Sequence, residues 1–441
     1  MKSDPQWIHF VHPARRLKNI LGASAGNFVE WFDWFAYASF ALYFSRAFFP
    51  AGDETAQLLN SAFVFAGGFI ARPIGALLFG RYGDRVGRRA ALTLSVTMMC
   101  GGSLLIAITP TGMGALSPLL LIIARLIQGL AVGGEYGASA TYVSEMASSR
   151  HRGFWSGFLY VTLIGGQLAA MSLQVLLQSL LSEEQLYAWG WRLPFVVGAL
   201  LAVVVFWIRR GIEETSSFTQ AKVALSERGR PGALLKEYGR ETAIVLALTA
   251  AGAIGFYTYA VYMQKLLVNS AGFDKAVAAR IMTWVLATLV FLPPLVGWIA
   301  DHIGRKRTLL VSFGASTLLA VPMLNALAHA NAERPFTVYL LCLVPLFFLS
   351  GYYALSAIIK AELYPAHVRA LGVSLPYAVA LAIFGGNAET MALYFKSIGM
   401  ESGYYWLVAA VCAVGFLAAT QLPDERRGTQ LGDDGQTGTE A

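Results

Sequence analysis

Apolar residues in this chain of 441 residues run in long blocks, and polar or turn-rich breaks separate twelve of them. The blocks lie at about 20–48, 57–80, 90–108, 117–142, 153–179, 194–208, 242–267, 277–300, 308–328, 336–360, 370–394 and 403–422. At 1.5 Å per residue, a helical block of about 20 residues crosses a hydrocarbon layer of ~30 Å. The sixth block is short, and its N-terminal end can be drawn back to Trp189. The pattern therefore predicts an all-α, polytopic membrane protein with twelve transmembrane helices. Residues 1–19 hold Arg15, Arg16 and Lys18 but no short cleavable apolar region, so the first block is expected to remain as an anchor.

Composition narrows the class. Hydrophobic residues make up 56% and charged residues 13%, against about 25% charged in soluble domains. Mean hydropathy is +0.56. A disordered chain, a fibrous repeat and an ordinary cytosolic enzyme are excluded. Cys100, Cys342 and Cys412 sit in apolar blocks without ligand spacing, and all six histidines fall outside the blocks. No disulfide framework, metal centre, haem or other cofactor is expected. No nucleophile–base pair or phosphate-binding glycine loop points to an enzyme.

The net charge of +7 is a matter of topology. With the N-terminus inside, 23 of the 33 Lys and Arg fall in inner loops and tails and 6 in outer loops. The other four, Arg72, Arg125, Lys265 and Lys360, lie within or at the ends of blocks. This bias places both termini in the cytoplasm. The excess faces the lipid bilayer and implies no nucleic-acid partner. Nothing in the pattern calls for an oligomer, and a monomer is expected.

The chain repeats itself at one offset. Gly80, Asp84, Gly87 and Arg88 recur 217 residues on as Gly297, Asp301, Gly304 and Arg305. The same 217 relates Glu145 to Glu362 and Arg152 to Arg369. One offset held across two separate loops predicts two pseudo-symmetric six-helix bundles, 1–208 and 241–422. A cytoplasmic linker, 209–240, joins them, and a polar tail covers 423–441.

The loop Gly80-Arg-Tyr-Gly-Asp84-Arg85-Val-Gly87-Arg88-Arg, present in both halves, resembles the signature of the major facilitator superfamily. Gly26-Asn-Phe-Val-Glu30-Trp-Phe-Asp33, Arg72-Pro-Ile-Gly75, Arg125-Leu-Ile-Gln-Gly129 and Trp189-Gly-Trp-Arg192 are similar to its metabolite:proton symporter branch. The likeness covers about residues 20–422. It implies a cytoplasmic gate made of Gly80, Asp84, Arg85, Gly87, Arg88, Glu145, Arg152, Asp301, Gly304, Arg305, Glu362 and Arg369. It also implies proton-coupled import of a small organic anion by alternating access. Within the branch the chain most resembles the carriers of 2-oxoglutarate. Citrate or shikimate would suit the same arginines. An osmolyte symporter (proline or betaine) fits the spans, but the tail after Pro423 lacks the heptads of that group. A non-transporting sensor lacks a soluble sensory domain.

Charges inside the blocks need a reason, since each costs at least ~2.5–3.5 kcal/mol in the hydrocarbon. Glu30 and Asp33, three apart near mid-depth of the first block, share one helix side. Arg125 lies at similar depth and Arg72 somewhat further in. Planar guanidinium forks bind carboxylates bidentately, so Arg72 and Arg125 are substrate candidates and Asp33 or Glu30 the proton carrier. The competing account is a set of interhelical salt bridges, with Arg125–Asp33 serving either role. Gln167, Tyr257 and Tyr262 could line the cavity. Lys265 is a further substrate candidate, although snorkelling to the interface would explain it and Lys360 alike. Glu135 lies in the stripe Gly129-x3-Gly133-x3-Gly137, where close helix packing or the inner gate is expected.

Overall fold

A computed structural model describes residues 13–86, 88–133, 152–210, 234 and 236–423, and in it the apolar blocks are helices. In chain order they are α1 (Pro13–Phe48), α2 (Glu54–Val86), α3 (Arg88–Ile108) and α4 (Leu116–Val132). There follow α5 (Arg152–Leu180), α6 (Gly190–Trp207), α7 (Gly239–Asn269) and α8 (Lys275–Ile303). The last four are α9 (Arg305–Ala328), α10 (Pro335–Glu362), α11 (Leu371–Ser397) and α12 (Glu401–Thr420). Among the described residues nine helices are long and apolar enough to span a membrane, and α1, Thr93–Ile108 and Leu116–Val132 complete the twelve. The short sixth block does begin just after Trp189. It is preceded by the short helix Glu183–Ala188, started by a capping box between Ser182 and Gln185.

Helices suit this sequence because each closes its own backbone hydrogen bonds, which a hydrocarbon environment demands. Their outward faces carry Trp284, Phe291, Leu318 and Phe336, all largely exposed. Water would penalise such a surface, and a lipid surround does not. The chain is thus a multi-pass membrane protein.

The two halves pack by one plan. In the first, α1 lies on α5, α2 on α4 and α3 on α6; in the second, α7 lies on α11, α8 on α10 and α9 on α12. The halves meet where α5 packs against α8 and α10 and where α2 packs against α11. Repeated contacts at the repeat spacing are what a duplicated bundle requires. The chemistry is not duplicated. Moved on by 217 residues, Asp33, Arg72 and Arg125 become Ala250, Leu289 and Cys342.

Two local features shape the interface. First, α7 and α11 each contain a π-helical turn, Tyr257–Tyr262 and Leu381–Gly385, and such turns widen the hydrogen-bonding pattern and free backbone groups. Second, the glycine stripe on α4 admits α2 at backbone distance. A Cβ at Gly129 would strike the Gly68 carbonyl and one at Gly133 the Arg72 carbonyl. Because the obstacle is backbone, it cannot swing aside. Gly129→Val is expected to cost about 1–3 kcal/mol through overpacking, read as a lower unfolding midpoint in detergent. An unchanged midpoint would refute this packing. The third stripe residue, Gly137, and Glu135 lie outside the described residues, as do Gly87, Glu145, positions 211–233 of the linker and the tail after Pro423.

Candidate substrate and proton site

Asp33 is held on α1 by polar groups from two other helices. Its carboxylate accepts from the Ser103 hydroxyl on α3 and from the Gln128 amide on α4, the latter at 2.5 Å. Gln128 Oε1 in turn accepts from Arg125 Nη1 at 2.8 Å. The expected Arg125–Asp33 salt bridge is therefore a relay, with Gln128 standing between cation and carboxylate. Spacing explains the placement, since Arg125 and Gln128 lie three apart on one helical face. Gly198 on α6 completes the pocket, because a Cβ there would sit 2.5 Å from Asp33 Oδ1. Asp33, Glu30, Ser95, Met99 and Ser103 line a small pocket whose far wall is Gly198, Ala202 and Val205 of α6.

The two arginines meet on Trp34. The Arg125 guanidinium carbon lies 4.0 Å from the Trp34 ring centre and 4.5 Å from that of Tyr37. That of Arg72 lies 4.1 Å from Trp34 and 4.1 Å from Phe69. Cation–π contact offsets part of the burial cost. Arg125 is wholly buried and Arg72 nearly so. Yet Nε and Nη2 of both arginines, and Trp34 Nε1, have no hydrogen-bond partner. Buried charged donors without acceptors are costly, and an anion would satisfy them. Glu30 and Tyr257 are within Coulombic reach of Arg72. Tyr257 packs edge-on against Phe69 at 5.3 Å. It also lines a second, small pocket between the halves, with Trp31 and Tyr160 from one and Thr249, Tyr352 and Tyr377 from the other.

Other candidates stand elsewhere. Gln167 Nε2 donates to the Ala260 carbonyl at 2.5 Å, a link from α5 to the π turn of α7 that leaves Oε1 without a partner. Tyr262 lies inside the second half, edge-on to Tyr404, and its hydroxyl has no partner. Snorkelling is overturned for both lysines. Lys265 is buried and paired with Glu389 on α11 at 2.6 Å. Lys360 is buried, donating to Ser356 at 2.8 Å with its ammonium 4.3 Å from the Tyr377 ring centre.

The signature residues of the second half gather at one end of the bundle. Asp301 accepts the backbone N–H groups of Gly153 at 2.8 Å and Phe154 at 3.0 Å. It thereby caps the start of α5 from the opposite half. Arg305 bonds Glu362, and Arg152 reaches the same carboxylate at 3.8 Å. Gly304, at φ 101°, makes the turn from α8 to α9, a conformation other residues rarely adopt. Arg369 instead holds the Ala361 and Tyr364 carbonyls at 3.1 and 3.3 Å. Beside it the Tyr364 hydroxyl donates to Thr242 at 3.2 Å, and burial pushes that phenol up to about 12, so it remains a neutral donor. In the first half α2 stays helical through Gly80 to Val86. The side chains of Asp84, Arg85 and Arg88 lie outside the described residues.

Reasoning from sequence missed Trp34, Gln128, Ser103 and the pairing of Lys265 with Glu389. Gln128 carried a signal, three residues beyond a buried arginine. Ser103 carried none, because only the packing of α3 brings it to Asp33.

Comparison with known proteins agrees with this architecture. The family described as "Sugar (and other) transporter" matches residues 18–230 and 232–422. The chain is 48% identical over 419 residues to the alpha-ketoglutarate permease of Escherichia coli (strain K12), covering 95% of this chain and 96% of that one. It is 34% identical to the citrate-proton symporter of Klebsiella pneumoniae, covering 92% of each. Among solved structures, the proton:xylose symporter XylE bound to 6-bromo-6-deoxy-D-glucose superposes with a TM-score of 0.75 at 18% identity. That superposition covers 95% of this chain and 98% of the other, and it speaks to the fold.

Proposed function

From the chain's membership of the sugar (and other) transporter family of the major facilitator superfamily, we propose that it is a proton-coupled symporter importing 2-oxoglutarate or a close dicarboxylate. The observation that carries the reading is the pair of buried guanidiniums, Arg72 and Arg125, with donors left without acceptors. One tethered carboxylate, Asp33, is linked to Arg125 through Gln128. A dicarboxylate supplies the acceptors that both forks lack.

Coupling follows from electrostatics. With Asp33 ionised, the Gln128 relay holds its charge close to Arg125. A proton on Asp33 removes that competing charge and leaves the arginines to the substrate anion. Substrate and proton therefore favour each other's binding, as a symporter needs. Tyr257 from the second half lines the chamber, and the Gln167–Ala260 bond ties α5 to α7. We assign the signature end to the cytoplasm, by the excess of Lys and Arg there. The protein then sits in the inner membrane with both termini inside, and works as a monomer. Bodies 1–208 and 241–422 rock about the site, joined by 209–240. The Asp301 cap on α5 and the Arg152–Glu362–Arg305 cluster form the cytoplasmic latch.

Uptake of labelled 2-oxoglutarate into proteoliposomes tests the reading. Accumulation should require an inward proton gradient, and unlabelled dicarboxylates should compete while proline and betaine should not. Accumulation that survives collapse of the gradient would overturn it.

A further inference from the structure

The second half holds a buried ion pair that this mechanism does not use. Lys265 on α7 and Glu389 on α11 meet at 2.6 Å, with side chains only 1% and 4% exposed. Each follows a π turn, Lys265 three residues after Tyr262 and Glu389 four after Gly385. Single π turns of this kind recur at functional sites. Glu389 Oε1 accepts the ammonium, while Oε2, equally buried, has no partner. Stability does not explain such a pair. Taking two charges out of water offsets their attraction, and apolar replacement of similar pairs is often neutral or stabilising.

Position suggests a use. Tyr37 on α1 has the Arg125 guanidinium 4.5 Å from its ring centre and lies within Coulombic reach of Glu389 as well. Tyr37 thus interacts electrostatically with both the substrate arginine and the carboxylate of the ion pair. Lys265 on α7 contacts Glu389, and Tyr262 on α7, Tyr404 on α12 and Tyr37 on α1 lie within its Coulombic reach.

We propose that Glu389 is a second proton acceptor of the transport cycle, so that two protons accompany each dicarboxylate. The inference rests on the symport reading above. The free lone pair on Oε2 takes a proton from the outer side and becomes O–H. Lys265 is then a buried cation without its counter-charge, and the dianion at the neighbouring arginines compensates it. On the inner side the substrate leaves, the proton departs from Oε2, and the Lys265–Glu389 pair closes again. No bond other than O–H is made or broken.

The test is the proton-to-substrate ratio in proteoliposomes, found from the imposed pH gradient and potential at which net flux vanishes. Wild type should move two protons per 2-oxoglutarate dianion and be indifferent to potential. The apolar double variant Lys265→Met/Glu389→Leu should move one. Net negative charge would then enter, and an inside-negative potential should lower its accumulation about 50-fold per 100 mV. Glu389→Asp should restore the second proton. A wild-type ratio of one, or a double variant that keeps the wild-type ratio, overturns the proposal. So does loss of substrate exchange in both variants, which marks a packing pair. A wild type indifferent to any proton gradient would instead remove the symport reading itself.

Discussion

Asp33→Asn should abolish uphill accumulation by the Asp33 proton while substrate exchange falls far less. Asparagine keeps the size of the side chain; its one carbonyl oxygen can accept from the Gln128 amide while its own amide donates to the Ser103 hydroxyl, so both partners of Asp33 can stay bonded. It cannot alternate between charged and neutral forms. One elementary charge moved through 100 mV is worth about 2.3 kcal/mol, so losing one coupled proton lowers the accumulation ratio about 50-fold for each 100 mV of proton-motive force. Exchange moves substrate in both directions and needs no net proton transfer. The measurement is labelled 2-oxoglutarate uptake under an imposed gradient, set beside counterflow in the same vesicles. Equal losses in the two assays would place Asp33 in packing or binding and remove its proton role.

Arg125→Lys should raise KM for 2-oxoglutarate about 10- to 100-fold. The charge survives, but the planar fork does not. Arg125 spends Nη1 on Gln128 and leaves Nε and Nη2 open, a pair of donors suited to one carboxylate. An ammonium on a shorter reach forfeits that bidentate contact and the stacking on Trp34, and a charge-assisted hydrogen bond contributes about 1.5–3 kcal/mol. Folding should be little affected, since the guanidinium makes a single protein hydrogen bond. The split to look for is a large change in KM at a nearly constant unfolding midpoint. An unaltered KM would show that the open donors do not meet the substrate.

Much of the architecture was legible beforehand because lipid leaves few choices. Long apolar blocks must be helices, and the 217-residue offset of Asp84 and Asp301 announced a duplicated bundle. Mid-depth charge singled out Asp33, Arg72 and Arg125 as groups that need a reason, either a substrate and proton site or interhelical salt bridges. Their partners were not legible. Lys265 reads in sequence as a lysine near a helix end, free to snorkel, and only the approach of α11 to α7 delivers Glu389 to it. Gln128 reads as one polar residue in an apolar helix, and only the packing of α1 and α4 makes it the relay between Arg125 and Asp33.

The dividing line is physical. Hydropathy and helical spacing act within a segment, so the sequence by itself determined the spans and the repeat. Counter-ions, cation–π faces and unpaired donors arise between segments more than ninety residues apart in some cases, as with Asp33 and Gln128. Those distances are set by which helix faces touch. Tertiary structure alone therefore decided that both arginines stack on Trp34, that their open donors remain buried, and that Lys265 pairs with Glu389.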